Sequence, residues 1–141
     1  MKPLISLFAL VAGTVATLCA QSSIPLTIDI PFAFYHGDTQ MPVGEYEVLR
    51  FGLGAVLVRS TDGRESAVRL SDNATAKQLP KKKALVFRKY GEDRYFLGWI
   101  WHTGVQVGTE FPKSKKEREA VTSTLVSSTR PNTVMILARA R

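Results

Sequence analysis

The sequence predicts an all-β fold, a single antiparallel β-sandwich or small barrel of about seven or eight strands, with one short surface helix near residues 113–121. Three observations carry this expectation. Several runs alternate apolar and polar residues at period two. Turn signals recur at roughly ten-residue spacing, the rhythm of sandwiches and small barrels. Only one segment carries the start chemistry of a helix. The 141 residues are 45% apolar and 22% charged with a net charge of +7, which is globular composition and excludes disorder, collagen and coiled coil. The length suits one core-forming domain.

Residues 1–20, MKPLISLFALVAGTVATLCA, read as a cleavable export signal. Lys2 precedes an apolar stretch from Leu4 to Leu18, and Ala20 offers a small residue at the cut site before QSS. A membrane anchor needs about 20 strongly apolar residues, and this stretch is diluted by Ser6, Gly13, Thr14 and Thr17. Lipid anchoring at Cys19 is disfavoured, because that processing resembles a pattern with a small residue before the Cys and Leu18 stands there. Cleavage after Ala20 leaves a domain over 21–141 with no Cys, no transmembrane segment and a charge of +6, since Lys2 is the only charged residue removed. The expected location is the periplasm or the cell exterior.

From Ile24 the apolar positions are Ile24, Leu26, Ile28, Ile30, Phe32 and Phe34, a half-buried strand. Pro25 and Pro31 cannot donate to a ladder, so it belongs at an edge or bends near Pro31. HGDTQMPVG follows as a loop. Strands are expected over Glu45 to Phe51 and Ala55 to Ser60, joined through Gly52-Leu53-Gly54. VLVRS and ESAVRL are joined by Thr61-Asp62-Gly63-Arg64, with Asp-Gly expected at the two central turn positions. Lys83 to Tyr90 and Arg94 to Trp101 repeat the arrangement around Gly91-Glu92-Asp93. Strict alternation puts Tyr95, Leu97, Trp99 and Trp101 on one face of that last strand, and Phe96, Gly98, Ile100 and His102 on the other. Both faces are largely apolar, as in a central strand. TVMILAR reads as a strand closing the sheet. After Pro112, Ser114 precedes Glu117 by three residues, a capping-box spacing that starts a helix of about two turns.

Four segments also carry a resemblance: IPFAFYHGDTQMPVGEYEV, AVLVRSTDGRESAV, KALVFRKYGEDRYFLGWIW and EFPKSKKEREA. In this order, behind an export signal, they resemble a family of small exported β-rich proteins that recurs in many copies in some soil bacteria. The similarity spans Ile24 to Ala120, with Val43 where the family usually has a small residue before Gly44. It implies export and a β-rich fold, and no activity.

Catalytic chemistry finds little to work with. Nucleophilic catalysis needs a Ser, Cys or Thr beside an oriented base, and His36 and His102 are the only imidazoles. His36-Gly37-Asp38 offers a base and orienter on a loop, or simply turn residues. Glu45 and Glu47 share a strand face but suit a solvent face with cross-strand Arg or Lys partners. Too few Cys and His remain for a closed zinc site; neither a phosphate loop nor a dinucleotide fingerprint is present, so no cofactor and no metal are expected. Asn73-Ala74-Thr75 matches a glycosylation acceptor that matters only in a eukaryotic secretory path.

A basic stripe with aromatics beside it is the remaining feature: Lys81, Lys82, Lys83, Arg88, Lys89 and Arg94, near Tyr95, Trp99 and Trp101. It is either a solvated edge that keeps the sheet from pairing with another chain or a contact for an anionic envelope or extracellular polymer. Nucleic acid is not expected outside the cell. The leading expectation is thus an exported, non-enzymatic binding or structural module of unknown ligand, for which such a polymer or another envelope protein is a candidate partner. The alternatives are a small secreted hydrolase using His36 or His102 with nearby carboxylates, and a ligand-holding barrel whose cavity is lined by Phe87, Phe96, Trp99 and Trp101.

Overall fold

The computed structural model describes residues 25–52, 54–126 and 132–138. Residues 1–20, with Cys19 and the expected cut site, lie outside them. Among the described residues the chain forms β1 (Leu26–Ile30), β2 (Phe34–His36), β3 (Thr39–Met41), β4 (Gly44–Phe51), β5 (Ala55–Ser60), β6 (Ser66–Leu70), β7 (Asp72–Thr75), β8 (Ala84–Tyr90), β9 (Arg94–Trp101), β10 (Val107–Glu110), α1 (Lys115–Val126) and β11 (Asn132–Leu137). A four-stranded sheet runs β1-β4-β5-β6, and a seven-stranded sheet runs β11-β8-β9-β10-β7 with the β2–β3 hairpin attached to β9. All pairings are antiparallel except the single bridge between β2 and β9. The expected all-β sandwich with one helix is present, without barrel closure.

The alternation from Leu26 to Phe34 serves two sheets. β1 is an edge strand of the four-stranded sheet, and the chain crosses at Pro31 so that β2 joins the other sheet. Where Pro denies a ladder donor, a strand ends or bends. The β5–β6 hairpin also departs from expectation. Gly63 N–H donates to Ser60 O at 2.9 Å, so Thr61 and Asp62 hold the central positions. Gly63 follows with φ 76°, and Ser60 N–H donates to Glu65 O at 2.8 Å, closing a four-residue loop of the kind built around a type I turn. Asp62 completes it by accepting from Ser60 Oγ at 2.6 Å and from Arg64 N–H at 3.0 Å.

The inner faces of both sheets form the core: Leu26, Ile28, Ile30, Tyr46, Val48, Val56 and Val58 meet Phe34, Leu85, Phe87, Leu97, Ile100 and Phe111. In β9 the expected faces are wrong beyond Leu97. Val86 pairs with Trp99 and Phe87 with Leu97, so Gly98 is a bulge that shifts the side-chain phase. Ile100 therefore joins Leu97 in the core, while Trp99 and Trp101 turn outward. Phe111 N–H donates to the bulged Gly98 carbonyl at 2.8 Å.

The helix is longer than the two turns expected, twelve residues from Lys115. Its buried positions are Glu117, Ala120 and Thr124, a face too polar for an apolar stripe to reveal. Ser114 Oγ accepts from Glu117 N–H at 3.2 Å, as a capping box requires. The reciprocal half is missing, because the Glu117 carboxylate turns into the sheet. Asp38 supplies a second cap from the β2–β3 turn, accepting from Lys116 N–H at 2.9 Å. That contact, then a hydrogen bond from Ser114 and the charges of Arg69 and Lys116, hold its carboxyl below the usual range.

Candidate functional site

The outer face of the seven-stranded sheet is only half covered. Its cross-strand rows follow from the register: Leu137, Ala84 and Trp101 lie side by side, as do Met135, Val86 and Trp99, and then Thr133, Arg88 and Phe96. Helix α1 covers Arg88 and Phe96 of the third row and what lies beyond them, while Thr133 stays exposed. Tyr90, Phe96 and Ala120 form a small core there, with Tyr35 stacked on Phe96 at 4.8 Å.

A buried ion pair fixes the helix to this face. Arg88, 8% exposed, meets Glu117, 1% exposed. Arg88 Nε and Nη2 donate to the two carboxylate oxygens, the latter at 3.1 Å. Nη2 also donates to Phe111 O at 2.8 Å, and Tyr90 Oη–H donates to Glu117 Oε1 at 2.9 Å. The guanidinium lies over the Trp99 ring at 4.8 Å. Gly98 makes room for it, since a Cβ there would stand 3.3 Å from Arg88 Cζ. Burial, reinforced by Glu117, pushes the Tyr90 hydroxyl well above its ordinary pKa.

The first row has no such cover. The connection from β7 to β8 runs along it, tied down where Gly104 N–H donates to Pro80 O at 2.9 Å and Ala76 N–H donates to Gln106 O at 2.8 Å. Between this wall and β11 lies an open groove of about 590 Å³. Trp101 and Ala84 form its floor, Leu79 and Pro80 one side, and Met135 and Leu137 the other. Leu79 and Met135 are 61% and 60% exposed, unusual for large apolar side chains sharing one concavity. Among the described residues, Lys77, Lys81 and Lys82 also line the groove and no acidic residue does. The volume lies within the ~300–1,000 Å³ of small-molecule sites.

Gly108 sets the Trp101 floor. A Cβ at this position would stand 2.3 Å from Trp101 Cε3 and 2.8 Å from Ile100 O, so the indole lies flat on bare backbone. Gly108→Ala is expected to lift the indole and cost about 1–3 kcal/mol, the range for overpacking a fitted site. A shifted Trp101 indole N–H resonance with a lowered urea midpoint checks this; an unchanged resonance refutes it.

The basic stripe of the sequence does not form one patch. Lys81, Lys82 and Lys83 are exposed at the start of β8, while Lys89 and Arg94 lie at the other end of the β8–β9 hairpin, about 20 Å away at ~3.3 Å per residue. Arg88 is no surface residue, being consumed by Glu117. Lys89 sits over Tyr95 at 5.4 Å. Arg94 donates to Ser123 Oγ at 3.2 Å and flanks a smaller cavity of about 190 Å³ together with Lys116 and Glu119.

The other candidates also separate. His36, 1% exposed, lies in the interior edge-on to Phe111 at 4.9 Å, with Nε2 a long 3.4 Å from Val56 O. Asp38 faces outward at the helix start, so the two form no base-and-orienter pair. His102, half-buried after β9, is held below its ordinary pKa by burial and then by Arg50 and Lys83. Glu47 pairs with Arg59 directly opposite it at 2.7 Å on the outer face of the four-stranded sheet. Of the four aromatics expected to line a barrel cavity, Phe87 is in the core, Phe96 lies beneath the helix, Trp99 stacks on Arg88, and Trp101 alone faces the groove. Among the described residues no cluster of three metal-ligating side chains occurs, and no helix is long and apolar enough to cross a membrane. Comparison of the chain with protein-family models, curated proteins and solved structures found no match.

Proposed function

We propose that this is an exported, non-enzymatic binding module whose ligand site is the Trp101 groove. The observation that supports it most is the division of one sheet face: the apolar residues Trp101 and Leu137 of its first row and Met135 of its second are left open, while the helix seals Arg88, Phe96 and Tyr90 beyond them. A sheet face left apolar and concave over its outer row favours ligand contact over simple solvation. The titratable groups with the strongest catalytic promise, His36 and Asp38, are instead engaged in core packing and helix capping.

Titrating the full chain with dodecyl maltoside below its micelle concentration tests the site. The Trp101 indole N–H and Met135 methyl resonances are expected to move together and saturate. Movement confined to Val68 and Leu70, exposed on the four-stranded sheet, would place binding elsewhere and refute the proposal. Export is supported by the order of charge, apolar stretch and small residue in 1–20 and by the resemblance noted above. Secretion from a bacterial host should yield a chain beginning at Gln21; a product still beginning at Met1 contradicts it.

A further inference from the structure

We infer that the groove selects a single-chain amphiphile with a small anionic head, an alkyl carboxylate being the simplest. The inference rests on the groove being a ligand site, and adds what the ligand must be. Its floor and far side, Trp101, Met135 and Leu137, present no charge, whereas Lys77 and Lys81-Lys82 approach from one wall only. An occupant that fits both must be amphipathic along its length, with its negative end toward residues 77–82. Among the described residues no acidic side chain lines the groove to balance these lysines, so an anion entering here meets positive charge that none of them offsets, and an apolar floor with a displaced polar rim is how small-molecule sites orient a ligand.

Shape and cation type narrow the class further. At about 590 Å³ the groove is of the size that takes one small molecule, and it is concave, unlike the flat apolar surface by which a helix lies on a bilayer. Among the described lining residues all three cations are Lys, compact point charges, and none is Arg, whose rigid fork reads planar or phosphate geometry in two-point fashion. The site therefore senses the presence of negative charge more than its geometry. A polymer contact, one of the two readings of the basic residues, needed a basic stripe along β8 and β9, and that stripe is split between two ends of the hairpin and broken by buried Arg88. Lys81 and Lys82 keep a ligand role, but toward a molecule that also uses the apolar floor.

The test compares three probes with the same twelve-carbon chain on the full-length protein: dodecanoate, dodecyl maltoside and dodecyltrimethylammonium, each below its micelle concentration, read at the Trp101 indole N–H. Dodecanoate is expected to bind about tenfold tighter than the maltoside, the scale set by a few exposed ion pairs, and the cation weakest. A Lys77→Gln/Lys81→Gln/Lys82→Gln variant should retain maltoside binding, which shows that the groove is intact, and lose the preference for dodecanoate. Raising salt should narrow the gap, since exposed charges are screened. Equal affinity for all three probes, or a preference that survives in the triple variant, overturns the anionic-head inference while leaving the groove as a site. Absence of any shift at Trp101 removes the groove reading itself. Capture by phosphatidylglycerol vesicles without binding of monomeric dodecanoate would assign the lysines to a membrane surface and also overturn the inference.

Discussion

Glu117→Ala will destabilise the fold by about 3–5 kcal/mol, the cost of leaving one member of a buried ion pair without its partner. The carboxylate is 1% exposed and collects Arg88 through two nitrogens and Tyr90 through its hydroxyl. Removing it strands a guanidinium that still lies under the helix against Trp99, with Phe111 O the one acceptor left to it among the described residues. Glu117→Gln will fall between, since the amide oxygen still accepts from Tyr90 or Arg88 but no longer carries charge. The decisive comparison is the double variant Arg88→Met/Glu117→Leu. Replacing both partners by apolar groups of similar size is frequently neutral or stabilising, so most of the loss should return. Urea unfolding followed by Trp fluorescence measures all three, and Trp99 reports directly on the pair. A Glu117→Ala variant within about 1 kcal/mol of the parent, the scale of an exposed pair, would show that the helix is held by something else, Ala120 and the Ser114 and Asp38 caps being the remaining anchors.

That pair also shows what was and was not legible in the sequence. Ala84, Val86, Arg88 and Tyr90 alternate along β8 on one face, so Arg88 sits between two residues that demand burial. The pattern held the information, but assigning Arg to solvent hid it, because the compensating carboxylate stands 29 residues away and local spacing assigns Glu117 to a capping box. The long hairpins β4–β5, β5–β6 and β8–β9 were readable, since period-two runs separated by Gly-containing turns specify antiparallel neighbours. The short strands β3, β7 and β10 were not: TQM, DNAT and VGTE carry no alternation of useful length, and their pairing is decided by long-range register.

The Gly98 bulge explains a second miss, and it bears on the site. One extra residue in β9 reverses the direction of every side chain after it. Without it Ile100 would face outward and Trp101 would be buried in the core. With it, Trp101 lands over Gly108, a glycine in a strand with no periodicity to mark it. The groove thus depends on two glycines that sequence reasoning treats as weak points in strands, and of its lining Lys81, Lys82 and Trp101 could be singled out in advance.

Lowering the pH from 7 to 4 will cost the fold roughly 3 kcal/mol through His36 alone, at about 1.36 kcal/mol for each pH unit that separates its folded and unfolded pKa values. Burial lowers its pKa from 6.5 to about 4, with the Arg69 charge acting in the same direction and the Val56 carbonyl opposing both. The folded imidazole therefore stays neutral while the unfolded one charges. Above 6.5 neither state holds the proton and the stability is fully present. Between 6.5 and about 4 the unfolded chain gains it first, so stability falls with pH; below 4 both states are protonated and this contribution no longer changes. His102 is also lowered and adds loss of the same sign, so the test must isolate His36. A His36→Leu variant fills the same interior site without titrating. Its baseline stability will differ because the Val56 contact is lost, but its urea midpoint should decline less steeply between pH 7 and 4 than the parent's. The slope carries the argument and the starting level does not. Parallel declines in the two proteins would mean that His36 is protonated inside the fold, which its 1% exposure and its edge-on packing against Phe111 oppose, because an uncompensated charge among those neighbours is the costliest state the ring can adopt.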